Sequence, residues 1–154
     1  MLSVRRCDGN DVSQLALLRF QWRSIERGEH GMDEEAFQES LEHWMREHET
    51  SHVAFLGLDD ERPVGMAWLA IVDRVPGPEF FVRRSGYVQS VYVVATERSK
   101  GVGTALMAHV VDFARESGLD YLAVHPSEES FDFYLRLGFA HTTRVLELRE
   151  RNVT

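Results

Sequence analysis

The 154-residue sequence has one cysteine, Cys7, and no long apolar run. A single cysteine cannot form an internal disulfide and is typical of proteins from a reducing compartment. No stretch approaches the roughly 18 apolar residues of a membrane span, and the first ten residues lack the apolar segment of a signal peptide. We therefore expect a soluble, cytoplasmic protein without a membrane partner.

The sequence also lacks an excess of positive charge. Its 17 lysines and arginines are outnumbered by 25 aspartates and glutamates, which gives a net charge of −8. Because nonspecific binding to nucleic acid depends on cations against phosphates, this charge argues against a nucleic-acid partner. It is compatible with a cationic small substrate, although acidic surfaces also serve solubility alone.

Repeats, low-complexity tracts and Ser/Gly linkers are absent too, so residues 1–154 are predicted to form a single domain. Apolar periodicity predicts an edge strand at 2–7 and two helices that start at Asp11 and Asp33. A β-hairpin follows around a turn at 59–62. The later predicted elements are a strand at 86–94, a helix at 101–117, a strand at 120–125, a short helix ending at Leu137 and a strand at 139–150. The predicted fold is α/β with a mixed sheet, in the order β-α-α-β-β-β-α-β-α-β.

Residues 48–52 read HETSH, which matches the H-E-x-x-H pattern of zinc proteases. In those enzymes both histidines lie one turn apart on the same helix face and ligate zinc, while the glutamate is the base. Here the helix pattern ends near His48, and His52 immediately precedes a β-run. The two imidazoles are therefore expected to point in unrelated directions, and no convincing third ligand follows. The pattern predicts a polar helix end, with no metal site.

The segment SVYVVATERSKGVGTALMAHVVDFA, residues 90–114, carries the clearest chemistry. It predicts a strand, a short loop and a helix. Glycines in the loop let the backbone turn sharply, so that successive N–H groups can point at one anion. The first turn of the helix adds unpaired donors, and Arg98 and Lys100 add cations. The segment predicts a pyrophosphate site; a glycine-rich turn without a ligand is the alternative.

The two commonest nucleotide motifs are missing: no Walker A string exists, and Leu106 stands where a dinucleotide fingerprint needs its third glycine. The segment VYVVATERSKGVGTALM instead resembles the acetyl-CoA-binding motif of the GNAT superfamily of N-acyltransferases. That motif reads Q/R-x-x-G-x-G/A, and Arg98, Gly101 and Gly103 fill its three places. FYLRLGF, residues 133–139, is similar to a second segment of the family.

This resemblance covers roughly residues 52–148 and implies the acyl-CoA N-acyltransferase fold, acetyl-CoA as cosubstrate and no metal. It implies that the main chain of Val91, Tyr92 and Val93 pairs with the pantetheine arm. It also implies that loop N–H groups hold the pyrophosphate. These loop residues are Arg98, Ser99, Lys100, Gly101, Val102, Gly103 and Thr104.

The resemblance further places Tyr134 where the family often has the general acid that protonates the departing thiolate of CoA. A phenol with a pKa of ~10 can donate as that charge develops. A core tyrosine of the short helix is the alternative. Glu128 and Ser130 stand where many members carry an asparagine that bonds the cofactor arm, and Tyr87 stands where some carry a carboxylate base.

An amine acceptor is protonated at neutral pH, so a base must take its proton. Candidates are Glu26, Glu29, His30, Asp73 and His125, with a water relay as the alternative. The expected function is N-acetylation of a primary amine, on a small molecule or a peptide, by direct attack in a ternary complex. Cys7 is a poor candidate for a covalent intermediate because it lies far from the motif in sequence. A non-catalytic acyl-CoA-binding module is the second hypothesis. Homodimers are common in similar proteins.

Overall fold

The computed structural model describes residues 1–150, which form one five-stranded sheet with helices on both faces. The strands are β1 (Leu2–Arg6), β2 (His52–Asp59), β3 (Arg62–Asp73), β4 (Arg84–Val93) and β5 (Leu122–Val124). The helices are α1 (Val12–Phe20), α2 (Glu34–Glu47), α3 (Val102–Glu116) and α4 (Phe131–Arg136). Short 3₁₀ turns precede α1, α3 and α4, and a π-helical turn, Gln21–Glu26, continues α1.

The strands follow the chain order β1-β2-β3-β4-β5, and every pairing is antiparallel except β4 with β5. The parallel pair is short, because it ends at Val88 opposite Val124. In the described chain, residues 89–93 of β4 therefore have β3 on one side and no strand on the other. We call this unpaired side of residues 89–93 the open edge.

Each face of the sheet carries its own apolar core. Leu15 and Leu18 of α1 pack with Leu56 of β2 on one face, while Leu106 of α3 packs with Phe55 on the other. Because side chains alternate along a strand, adjacent residues of β2 enter opposite cores. This explains why the central strands read as continuous apolar runs.

Several predicted boundaries are confirmed. Asp33 caps α2 by accepting a hydrogen bond from the N–H of Ala36 at 2.8 Å. Helix α3 buries Leu106, Val110 and Ala114, which are four residues apart, and ends before Gly118, whose φ is 68°. None of the helices in residues 1–150 has the length and apolar character needed to cross a bilayer.

The helix start predicted at Asp11 is correct, but its side chain does not cap α1. The buried carboxylate instead accepts two bonds from Arg5, at 2.6 and 2.8 Å, and one from the N–H of Asp8 at 2.9 Å. These bonds, with Arg5 foremost, lower the pKa of Asp11. Asp11 thus ties the end of β1 to the start of α1.

The final strand predicted at 139–150 is not formed. Leu146 and Leu148 alternate with charged residues as they would in a strand, yet both are exposed, as is Val145. A strand needs a neighbour for its N–H and C=O groups and a surface for its apolar side. In the described chain, β5 is three residues long and pairs only with β4. The observed order of strands and α-helices is therefore β-α-α-β-β-β-α-β-α.

Candidate active site

The loop at residues 98–104, between β4 and α3, leaves a run of N–H groups without partners. Ser99 and Gly101 have φ of 63° and 87°, which folds the loop back on itself before α3 begins. In the described chain, no acceptor takes the N–H groups of residues 99–104, and the first bond into α3 runs from Ala105 N to Gly101 O at 3.0 Å. Six unpaired donors at the positive end of a helix dipole suit an anion.

The two glycines of this loop have different structural roles. Gly101 lies in the left-handed region, where a side chain is strained. Gly103 has an ordinary φ, but a Cβ there would stand 3.3 Å from the ring of Phe133 and 3.9 Å from Val93. The first glycine therefore permits the turn, and the second permits the close approach of α3 to β4 and α4.

The cations of the loop are partly engaged. Arg98 donates from Nε to the carbonyl of Val93 at 2.9 Å and from Nη2 to Glu26 at 3.1 Å. Its own N–H contacts the Ala95 carbonyl at 3.4 Å, so the free donors begin at Ser99. Lys100 lies 3.4 Å from Glu97 and is mostly exposed. The unpaired donors of the loop are thus backbone groups, with both cations beside them.

The open edge presents main-chain groups next to this loop. Val94 N donates to Val64 O at 2.9 Å, so Tyr92 and Met66 form the next hydrogen-bonded pair in the alternating ladder. Val91 and Val93 consequently turn their N–H and C=O groups away from β3, towards the open edge. A bulge opposite Ala67, with Ser90 at a φ of 53°, bends β4 just before these residues.

Tyr92 faces away from the open edge, because its main chain pairs with Met66 of β3 and its side chain enters the core with α1. Its ring stacks on Trp22 at 5.5 Å, and its hydroxyl donates to Glu26 at 2.6 Å. Burial, followed by the bond to Glu26, raises the pKa of Tyr92. Glu26 therefore bridges Tyr92 and Arg98, which connects the π-helical turn to the loop.

The predicted acid, Tyr134, lies in α4 and is 6% exposed. It belongs to the same apolar cluster as Val91 and Val93, so it lies on the α3 face of the sheet. Burial raises the pKa of Tyr134 to about 12. The phenol therefore stays protonated throughout the neutral range, which is the state a general acid needs.

The predicted bases differ in whether ion pairs or hydrogen bonds already engage them. Glu29 pairs with Arg23 through two contacts of 2.5 and 2.9 Å, and that pairing lowers the pKa of Glu29. Glu26 is engaged as described above. His30 and Asp73 are exposed, and Asp73 ends β3. These contacts leave Glu26 and Glu29 poorly placed to accept a proton.

His125 follows β5 directly, where β4 and β5 separate. Its ring meets Tyr87 edge-on at 5.1 Å, and its Nδ1 lies 3.6 Å from Glu147. Of the five predicted bases, His125 is therefore the one that adjoins the separation of the strands.

Arg19 was not among the predicted site residues. Its Nη1 donates to the Ser90 hydroxyl at 2.6 Å, which places the guanidinium beside the bulge of β4. A cavity of about 290 Å³ adjoins it, lined among others by Arg23 and His30. The sequence holds a signal, because Arg19 is four residues after the buried Leu15 and so falls on the apolar side of α1.

The HETSH segment forms the junction that the sequence predicts, since α2 ends at Glu47 and β2 begins at His52. The prediction that the imidazoles point apart is wrong. Their centroids are 5.5 Å apart, because His48 stacks on Trp44 at 4.2 Å and His52 meets the same ring edge-on at 4.7 Å. Within residues 1–150, however, no group of three potential ligands stands close enough to hold a metal ion.

Comparison with known proteins agrees with this geometry. The model of the acetyltransferase (GNAT) family matches residues 15–139. No curated protein matches the sequence. The structure resembles that of a predicted acetyltransferase from Clostridium acetobutylicum with acetyl-CoA, at 23% identity and a TM-score of 0.78, over 97% of this chain and 96% of that one. It also resembles glucosamine-6-phosphate N-acetyltransferase from Arabidopsis thaliana, at 16% identity and a TM-score of 0.73, over 98% and 99% of the two chains.

A third similar structure is an aminoglycoside acetyltransferase from an uncultured soil metagenomic sample, in complex with sisomicin. It is 16% identical, with a TM-score of 0.75 over 97% of this chain and 95% of that one. At these identities the structural likeness establishes the fold, and the sequence model spans most of the chain. This chain therefore belongs to the GNAT family of acetyltransferases.

Proposed function

We propose that the protein transfers an acetyl group from acetyl-CoA to a primary amine, on a small molecule or a peptide, within a ternary complex. The observation that carries the proposal is the run of six unpaired N–H groups from Ser99 to Thr104, next to the open edge. A pyrophosphate matches these donors because backbone N–H groups at a helix start favour negative charge. The residues present therefore fit the cosubstrate.

The chain's own groups then have distinct tasks. The N–H groups of residues 99–104 hold the pyrophosphate, and the main chain of Val91 and Val93 pairs with the pantetheine arm and polarises the thioester carbonyl. The side chain of Arg98 moves from the Val93 carbonyl when that pairing forms. Gly103 keeps the loop close to β4, so that phosphate and thioester are bound by one continuous surface.

Acetyl-CoA supplies a thioester, so transfer forms a nitrogen–carbon bond and breaks a carbon–sulfur bond. The amine loses a proton, which His125 or a water relay accepts. The departing thiolate gains a proton from the Tyr134 hydroxyl. Because burial keeps that phenol protonated, the donor is ready at the pH where the amine begins to deprotonate. We place this chemistry in the cytoplasm, within a single domain.

A non-catalytic acyl-CoA-binding module is the second candidate, and the ion pairs that engage Glu26 and Glu29 favour it. Thermal unfolding with acetyl-CoA, followed by detection of free CoA thiol across an amine panel, separates the two. At a hundred times the dissociation constant, a bound ligand stabilises by about 2.7 kcal/mol, or roughly 5–10 °C here. Stabilisation with thiol release supports the transferase; stabilisation without release supports the module.

A further inference from the structure

Arg19 is a partly buried cation without an acidic partner in residues 1–150. No carboxylate lies within 4.0 Å of it, whereas Arg5, Arg23 and Arg98 each pair with an aspartate or glutamate. Within residues 1–150, its side chain donates one hydrogen bond, to the neutral hydroxyl of Ser90. Burial is the main cause of a lowered pKa at Arg19, with Arg23 adding to it. A guanidinium stays charged even so, and its remaining donors favour an anion.

The position of Arg19 links it to the transfer chemistry. Ser90 forms the bulge of β4 immediately before Val91, where the open edge presents its main chain. The Nη1 of Arg19 is 2.6 Å from the Ser90 hydroxyl. A group bound to Arg19 is therefore close to Ser90 and to the main chain of the open edge. The opposite face of β4 holds Tyr134 in the other core. An acceptor can thus enter from the α1 face and the thiolate depart on the α4 face.

The adjoining cavity has the size and charge to receive a small anionic group. Its volume of about 290 Å³ is at the lower end of small-molecule sites. Among its lining residues, Arg23 and Glu29 neutralise one another. Glu29 also attracts Arg19 without direct contact. The lining therefore holds two arginines against one carboxylate, which leaves an excess of positive charge at Arg19. The rest of the lining is Phe20, Ser24, His30, Gly31, Met32 and Phe37.

We infer that the acceptor amine carries an anionic group, a carboxylate or a phosphate, which binds to the guanidinium of Arg19. This inference rests on the proposed function and specifies its substrate class. It differs from the cationic substrate with which the net charge of −8 is compatible, and leaves solubility as the explanation of that charge. Bidentate pairing with a planar guanidinium would orient the amine towards the open edge.

The test measures CoA release with matched acceptors. Each amino acid is compared with its carboxamide, and aminoalkyl phosphates are compared with the corresponding amino alcohols; polyamines complete the panel. The variants are Arg19→Gln, Arg19→Lys and the control Arg27→Gln, whose exposed side chain makes no ion pair within residues 1–150. Wild type should prefer the anionic member of a pair. Arg19→Gln should raise the KM for the anionic acceptor about 10- to 100-fold, as expected for a lost charge-assisted hydrogen bond. The KM for acetyl-CoA should stay unchanged.

Recovery of part of the affinity in Arg19→Lys and an unchanged KM in Arg27→Gln would support the inference. The inference would be overturned if the wild type preferred carboxamides or polyamines, or if Arg19→Gln raised the KM equally for both members of a pair. Either result would leave the proposed transferase activity standing. Calorimetric titration of the same acceptors into CoA-loaded protein separates the two proposals. Anionic amines that bind through Arg19 without any turnover would support the anion site and contradict the transferase. If Arg19 binds a carboxylate, Arg19→Gln changes the preference between amino acids and their carboxamides. If it binds a phosphate, the change is between aminoalkyl phosphates and amino alcohols.

Discussion

Two short junctions between a helix and a strand match known functional sequence motifs, but only one of them has polar groups without hydrogen-bond partners in the described chain. HETSH joins α2 to β2, and RSKGVGT joins β4 to α3. In the first, the Nδ1 of His48 is 2.7 Å from the Trp44 carbonyl, and that of His52 is 2.8 Å from the Ser51 hydroxyl. In the second, the N–H groups of residues 99–104 have no partner in the described chain.

This difference shows that a short pattern acquires chemistry only when the fold leaves its polar groups unpaired. The N–H groups of Ser51 and His52 both donate to the His48 carbonyl, which completes the end of α2. At the start of α3 the N–H groups of residues 102–104 have no acceptor because the helix begins there, directly after the left-handed turn at Gly101. The first junction thus terminates a helix, and the second leaves N–H groups available for the anion site that we propose.

The largest effect is expected from Tyr134→Phe, which removes the proposed acid without changing the ring. Turnover should fall about 10²- to 10⁴-fold, the range for loss of a general acid, while acetyl-CoA affinity changes little. Burial raises the pKa of Tyr134 to about 12, so the wild-type rate should not decline between pH 8 and 10 through loss of this proton. Steady-state kinetics on both proteins measures the effect.

The matched control is Tyr121→Phe, because Tyr121 is exposed. Its turnover should equal that of the wild type. An unchanged rate in Tyr134→Phe would remove Tyr134 from the mechanism and leave the thiolate to be protonated by solvent.

The second effect concerns Cys7, which lines a cavity of about 500 Å³ next to His48 and His52. Burial raises its pKa from 9.0 to about 12, so at pH 8 the thiolate fraction should be about 1000-fold smaller than in the unfolded chain. A thiol reagent should modify the native protein far more slowly than the urea-unfolded protein. Fast native modification would show that the histidine junction activates a nucleophile after all. Cys7→Ala should leave acetyl transfer unchanged.

A smaller effect is expected from Gly101→Ala, which places a side chain in the left-handed region at the start of α3. The strain costs about 1–2 kcal/mol and disfavours the loop conformation, so the acetyl-CoA dissociation constant should rise about 10-fold. Gly118→Ala imposes comparable strain at the other end of α3, where φ is 68° and no atom lies within 4 Å of the new Cβ. It should lower the melting temperature and leave the dissociation constant unchanged. Equal dissociation constants in the two variants would contradict a role for the loop.

The smallest effect is expected at the other junction. Because His48 and His52 are engaged with Trp44, Ser51 and the helix end, substitution of either by alanine should leave acetyl transfer unchanged. Zinc and EDTA should leave the melting temperature unchanged. Stoichiometric zinc in the purified protein, with peptide cleavage that EDTA abolishes, would reverse the assignment of the two junctions.

The sequence predicted the elements and the glycine loop because both depend on local signals. Helical spacing marks α3, and Gly101 marks the turn that no other residue adopts without strain. The strand predicted at 139–150 is not formed. Its apolar pattern is a local signal, but a strand is stable only when a second strand pairs with it. A pattern within one segment does not reveal whether another segment is available to pair with it.

The contacts that position the site could not be read from the sequence. Arg19 meets Ser90 across 71 residues, and Glu26 meets Tyr92 and Arg98 across 66 and 72 residues. Each contact depends on where α1 and the π-helical turn cross β4, which periodicity does not determine. The cluster of His48 and His52 on Trp44 likewise arises from side-chain packing at a junction whose backbone was correctly predicted.

The most direct test of the account is an amide chemical-shift titration of ¹⁵N-labelled protein with CoA. The N–H groups of residues 99–104 should shift most, since they lack partners in the described chain and are proposed to donate to the pyrophosphate. The amides of Ser51 and His52, already bonded to His48, should not move. Shifts concentrated at residues 48–52, or none in the loop at saturating CoA, would contradict the assignment of the anion site to RSKGVGT.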